Sequence, residues 1–285
     1  MGEAHLSAAD WSWEPTVIVG LVVLSAGYVL ALRRGRIGGA DDVSPWLPGQ
    51  CWRPVLFASG IVTAFVALLS PIDTGGDNYL LSLHMIQHLL LMMVAPPLLL
   101  LAIAGAAPLP AAAAPRLRRL WTLITRPWPA VISFNAVLLL WHLPALYDAT
   151  LRNEGIHVIE HLTFIAMGLV FWWPIVDPIR RQGTRLISSM EKIAMLVVAG
   201  VPPTVLGFVF ALGGTAYYDF YARAPRLWGL TPTVDQQIAG VIMFGLGNII
   251  YFVAISIVFL RMFGNPADDE SDTAGEPLAV REAVR

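Results

Sequence analysis

Apolar residues run through this chain in long blocks, with neither the alternation of a half-buried strand nor the one-sided stripe of a surface helix. Seven blocks stand out, at about 15–32, 52–70, 79–103, 129–146, 156–174, 193–212 and 238–261. Each approaches or reaches the roughly 20 residues that a helix needs to cross a bilayer. The segments between them are polar or rich in Gly and Pro: 38–49 with Gly, Asp and Pro, an Ala/Pro-rich stretch before Arg116, and a Gly/Tyr-rich stretch over 213–234. The pattern predicts an all-α protein, a polytopic membrane bundle of seven transmembrane helices. Proline pairs at 96–97 and 202–203 are expected to kink the third and sixth spans. Residues 1–14 read as a short outer tail, 15–262 as the transmembrane domain and 263–285 as a disordered acidic tail. No basic leader precedes the first block, so it is expected to be retained as a span.

Composition supports a lipid-embedded chain. Hydrophobic residues make up 56% and charged residues 13%, too few charges to coat a soluble domain of this length. The placement of arginine sets the orientation. Arg33, Arg34, Arg36, Arg116, Arg118, Arg119, Arg126, Arg180, Arg181 and Arg185 follow spans one, three and five. Only Arg152, Arg223 and Arg226 follow spans two, four and six. Basic residues favour the cytoplasmic side, which puts the N-terminus outside and the C-terminus in the cytoplasm. No basic nucleic-acid surface and no Gly-rich phosphate loop is present. A single cysteine, Cys51, excludes an internal disulfide and a paired-cysteine metal clip. Tryptophans 46, 52, 128, 141, 172, 173 and 228 lie near span ends, where an interfacial belt accounts for them.

The candidate chemistry lies in histidine. His84 and His88 sit four residues apart in the third span, and His157 and His161 repeat that spacing at the start of the fifth. Residues at i and i+4 share a helix face, about 6 Å apart. With the orientation above, both pairs and His142 fall at one level near the outer surface. Five of the six histidines thus converge on one predicted site. Imidazole is a common ligand for Cu, Zn, Fe and Ni, and thioether sulfur favours monovalent copper. Met85 and Met92 lie beside the first pair and join the candidate ligands. Asp148, Glu160 and Asp235 lie at the same level as candidate partners that orient the imidazoles. Asp235 has an equal claim as a helix N-cap. Asp73 and Asp77 read more simply as solvated loop or cap residues.

Several of these segments together resemble a known family. Ser70-Pro-Ile-Asp73, His84-Met-Ile-Gln-His88, Ala95-Pro-Pro97, Trp141-His142-Leu-Pro144, Glu160-His161 and Asp235-Gln-Gln237 look like the CtaG family. These are multi-span membrane proteins linked to assembly of the caa-type cytochrome c oxidase. The resemblance implies a bacterial inner-membrane protein that matures the oxidase without catalysing a reaction, with copper as the expected metal. Oxidase subunits or copper chaperones, and membrane lipid, are the implied partners. The motif carries over His84, Met85, His88, His142, His157 and His161 as the site. Two other readings of the residues stay open. One is a seven-span zinc hydrolase using three histidines and a base from Asp73, Asp148 or Glu160, with Ser82 lining the site. The other is a b-type haem protein with histidines on facing helices. No span presents a clear small-xxx-small face, so oligomeric state is left open.

Overall fold

The computed structural model describes residues 5–35, 37, 52–105, 115–178 and 187–264. Every regular element among them is helical. Arg36, the 38–51 segment with Trp46 and Cys51, Arg180, Arg181, Arg185 and the tail from 265 onward lie outside the described residues.

Helix α1 (Pro15–Arg33) opens on a proline, whose fixed φ suits a first helical turn. Val19, Val22 and Val23 on it are exposed, as lipid-facing residues are. It meets the bundle through Tyr28, stacked on Phe57 at 3.9 Å. Helix α2 (Trp52–Leu69) passes almost directly into α3 (Pro71–Asn78), which Ser70 caps by accepting the Ile72 N–H. Helix α4 (Leu81–Leu89) then continues through a π-helical segment, Leu90–Val94, into α5 (Ala95–Ala102). The π segment has a local cause. Pro96 has no N–H, so the carbonyl of Met92 four residues earlier loses its helical partner. The indole Nε1 of Trp172 donates to that carbonyl instead, at 3.3 Å. Gly168 makes this approach possible, because a Cβ there would sit 2.7 Å from Pro96 Cγ and 2.8 Å from Met92 O.

Helix α6 (Pro115–Ile124) leads to α7 (Pro127–Trp141) and α8 (Pro144–Thr150), the last two bent by 76°. The bend follows from Pro144, which pushes Leu143 into extended backbone at ψ 128. Helix α9 (Glu154–Val176) starts on an Asn153 cap, and α10 (Ser189–Leu212) starts on a Ser188 cap. A short α11 (Asp219–Arg223) precedes α12 (Pro232–Val241), a second π segment (Ile242–Leu246) and α13 (Gly247–Gly264).

Among the described residues, six helical stretches are long and apolar enough to cross a membrane: Pro15–Arg33, Trp52–Asn78, Leu81–Ala102, Glu154–Val176, Ser189–Leu212 and Pro232–Phe263. The expected fourth span is instead the bent pair α7 and α8, which makes a seventh crossing only if the two are taken together. The main core lies among α7, α9, α10 and α13 and is rich in aromatics, including Phe134, Phe164, Phe171, Trp172 and Tyr251. A second cluster, with Leu81, Met85, Tyr147, Phe210, Tyr218, Tyr221 and Met243, surrounds the start of α4.

Candidate metal centre

Five histidines come together where α4, α9 and the α7–α8 bend meet. The i, i+4 spacing stacks His84 over His88 on α4, ring centroids 4.3 Å apart, and His157 over His161 on α9, 4.1 Å apart. Across the helices, His84 lies 5.4 Å from His157 and 5.9 Å from His161, and His88 lies 5.7 Å from His161. His142, at the C-terminal end of α7, is 6.1 Å from His88. His84, His88, His142 and His161 are buried, His84 completely.

Glu160 sits among them, fully buried. Its oxygens lie 4.0 Å from His84 Nε2 and 3.7 Å from His88 Nε2. Those separations are too long for hydrogen bonds. Two atoms that each ligate one ion at about 2 Å can lie up to about 4 Å apart, so they suit a shared ion. His84, His88, Glu160 and His161 each offer a ligand atom, all within 4.8 Å of one another. Asp77, His84 and His157 form a second such group.

Hydrogen bonds outside the cluster fix which nitrogens face it. The Tyr221 hydroxyl donates to the Gly76 carbonyl at 2.6 Å. Its single proton is thereby used, so its oxygen accepts the Nδ1–H of His84 at 2.9 Å. Burial, and then the charge of Asp77, push the Tyr221 phenol well above its ordinary value, so it keeps that proton. His142 likewise donates Nδ1–H to the Leu138 carbonyl at 2.7 Å. Both residues are left with an Nε2 lone pair. Among the described residues, the Nε2 atoms of His84, His88, His142, His157 and His161 and the Nδ1 of His88 have no hydrogen-bond partner, and the Glu160 carboxylate has only the Thr150 hydroxyl beside it. A polar atom buried without a partner costs about 1–3 kcal/mol, and more if charged. Four of these residues, His84, His88, Glu160 and His161, bring one ligand atom each into a group that could hold a metal ion, and three imidazoles with one carboxylate suit copper or zinc.

The surrounding carboxylates have distinct tasks. Asp235 on α12 accepts the N–H of Leu81 at 2.7 Å and of Ser82 at 3.2 Å. The residue before α4, Leu80, has no capping side chain, so Asp235 caps the histidine-bearing helix from another element. The N-cap of its own helix is Thr231, which accepts the Val234 N–H. Asp148 turns away from the imidazoles: it accepts the Asp219 and Phe220 N–H at the start of α11 and pairs with Arg152. Asp73 lies in buried helix, where its two oxygens accept from Ser12 Oγ at 2.6 Å and Gln87 Nε2 at 2.7 Å. Asp77 faces His157 at 3.4 Å. Met85 and Met92 lie beside the cluster, lining with His88, His142, Met93 and Met243 a cavity of about 40 Å³.

Sequence reasoning passed over Tyr147, Tyr218 and Tyr221. Tyr147 stacks on Tyr218 at 4.0 Å, and Tyr218 donates to the His142 carbonyl at 3.0 Å. Their one available signal was three tyrosines in or beside short polar connections, where nothing else required aromatic bulk.

Fold and site together define a helical membrane bundle with a buried histidine–carboxylate cluster. Residues 26–265 match the family model for the cytochrome c oxidase caa3 assembly factor (Caa3_CtaG), and the chain belongs to that family. Comparisons with curated proteins and with solved structures returned no match.

Proposed function

We propose that this assembly factor binds copper at the His84, His88, Glu160 and His161 cluster and delivers it to a subunit of the oxidase. His142 and His157 flank the ion, and Met85 and Met92 adjoin it on the side of the methionine cavity. The cluster faces the outer side of a bacterial inner membrane, as the ten-against-three arginine distribution implies. Copper is cargo in this reading, and the chain's own work is to hold and release it without catalysis. Oxidase subunits, or a chaperone that loads the cluster, are the partners.

One observation carries the proposal. Unpartnered ring nitrogens from three histidines lie with the fully buried Glu160 carboxylate, one ligand atom from each residue and all four within 4.8 Å of one another. A bound cation would satisfy all of these atoms at once. Elemental analysis of the full chain, purified from copper-replete membranes, is the test. Stoichiometric copper is expected in the parent. In His88→Ala and His161→Ala, affinity should fall by more than the about 10–100-fold typical of partners that only orient ligands. His5→Ala, on the exposed N-terminal segment, should match the parent. Equal losses in all three variants would refute the site.

The same donor set also favours a second reading, since three nitrogens and a carboxylate are common zinc ligands. Zinc in place of copper would move the assignment to a metal-dependent hydrolase.

A further inference from the structure

The two ligand groups share one residue, His84. His84 donates Nδ1–H to Tyr221, whose own proton is committed to Gly76, so one lone pair remains, on Nε2. A single lone pair does not bind two ions at once. The groups are therefore alternative positions for one ion. They also differ in access. His88, Glu160 and His161 are buried in the bundle, whereas the side chains of His157 and Asp77 are 13% and 30% exposed. Asp77 lies in the last turn of α3 and His157 in the first turn of α9; His157 Nε2 and Asp77 Oδ1 are themselves buried, while the rest of each side chain reaches the surface at the edge of the cluster.

Resting on the metal-binding reading above, we infer that Asp77 and His157 form an entry subsite for a divalent cation. The ion is captured there with His84 and passes to His88, Glu160 and His161 while His84 stays bound. A carboxylate and an imidazole together suit a divalent ion. The shared histidine means that the ion never loses all its protein ligands during transfer.

An entry subsite has a kinetic signature that a resting ligand lacks. It lowers the barrier in both directions, so its removal slows uptake and release together and leaves the equilibrium constant unchanged. The experiment mixes the full chain in lipid nanodiscs with copper(II) sulfate, following tryptophan quenching by stopped flow. Release into a chelator and equilibrium titration complete the set. Asp77→Asn should slow association and dissociation each by about tenfold, the lower end of the effect of losing one group around a metal, with parental Kd. His157→Gln should slow both rates as well, and the retained Kd of Asp77→Asn shows that this variant is folded. A weakened Kd with faster release would make Asp77 a resting ligand and overturn the inference. Parental rates in both variants would overturn it too. No copper binding by the parent would instead refute the metal-binding reading itself.

Discussion

Replacing Asp235 with alanine removes the cap of the helix that carries His84 and His88. Asp235 is 2% exposed, and its two oxygens take the N–H groups of Leu81 and Ser82 at 2.7 and 3.2 Å. These belong to the first turn of α4, where no carbonyl four residues back lies within the helix. A hydrogen bond to a charged acceptor contributes about 1.5–3 kcal/mol. Counting the short bond over its full range and the longer one at the low end gives about 3–4.5 kcal/mol, with about 0.3–1 kcal/mol more from a negative charge at a helix N-terminus. Asp235→Asn keeps the shape and one acceptor oxygen, and should cost about half as much. Hydrogen exchange on the protein in nanodiscs reads the effect locally. Amides at 81–84 should exchange faster in Asp235→Ala, those of α10 should not, and the asparagine variant should fall between. Thermal inactivation rates should follow the same order, as rates because membrane proteins commonly unfold irreversibly. Parental protection of residues 81–84 in the alanine variant would refute the capping argument.

Tyr221→Phe leaves the Gly76 carbonyl and the His84 Nδ1–H without their partner. Copper affinity should fall by about 10–100-fold, the usual effect of losing a group that orients a ligand, and an unchanged Kd would show that Tyr221 does not set the His84 tautomer. Gly168→Ala drives a Cβ into Pro96 and the Met92 carbonyl, and should cost about 1–3 kcal/mol by overpacking. Gly214→Ala, where a Cβ meets nothing within 4 Å, is the control, and equal thermal stability of the two variants would refute the close packing.

The histidine cluster was legible because it rests on two periodicities: four residues bring each pair onto one face, and alternating span direction brings the pairs to one level. Glu160 was legible as their neighbour on α9. The carboxylates of α3 were not. Pro71 to Asn78 contains Asp, Thr, Gly, Gly and Asp, which by propensity reads as a turn. It folds as helix because α4 packs so tightly on it that a Cβ at Gly76 would lie 3.0 Å from the His84 backbone. Tertiary contact overrides local preference there, and carries Asp73 and Asp77 into the structure. Asp235 and Asp148 show the same limit. Their sequence positions place them near the cluster, but whether a carboxylate meets an imidazole or a backbone N–H depends on the neighbouring helix, which no spacing reveals. The bend at His142 had a sequence signal in Pro144. Its angle depended on how α8 packs.

The π segment at Leu90–Val94 gives the third apolar block two rotational phases. One extra residue within a helical turn rotates everything beyond it by about 100°. The histidines above and the leucines below are thus aimed independently, the first pair at α9 and the second stretch at α2 as well. Deleting Leu90 from this segment would turn the part before it by about 100° relative to the part after it without removing any histidine. His84 and His88 would then keep their spacing and lose their direction. The length of this stretch therefore constrains the site as strictly as the histidines themselves.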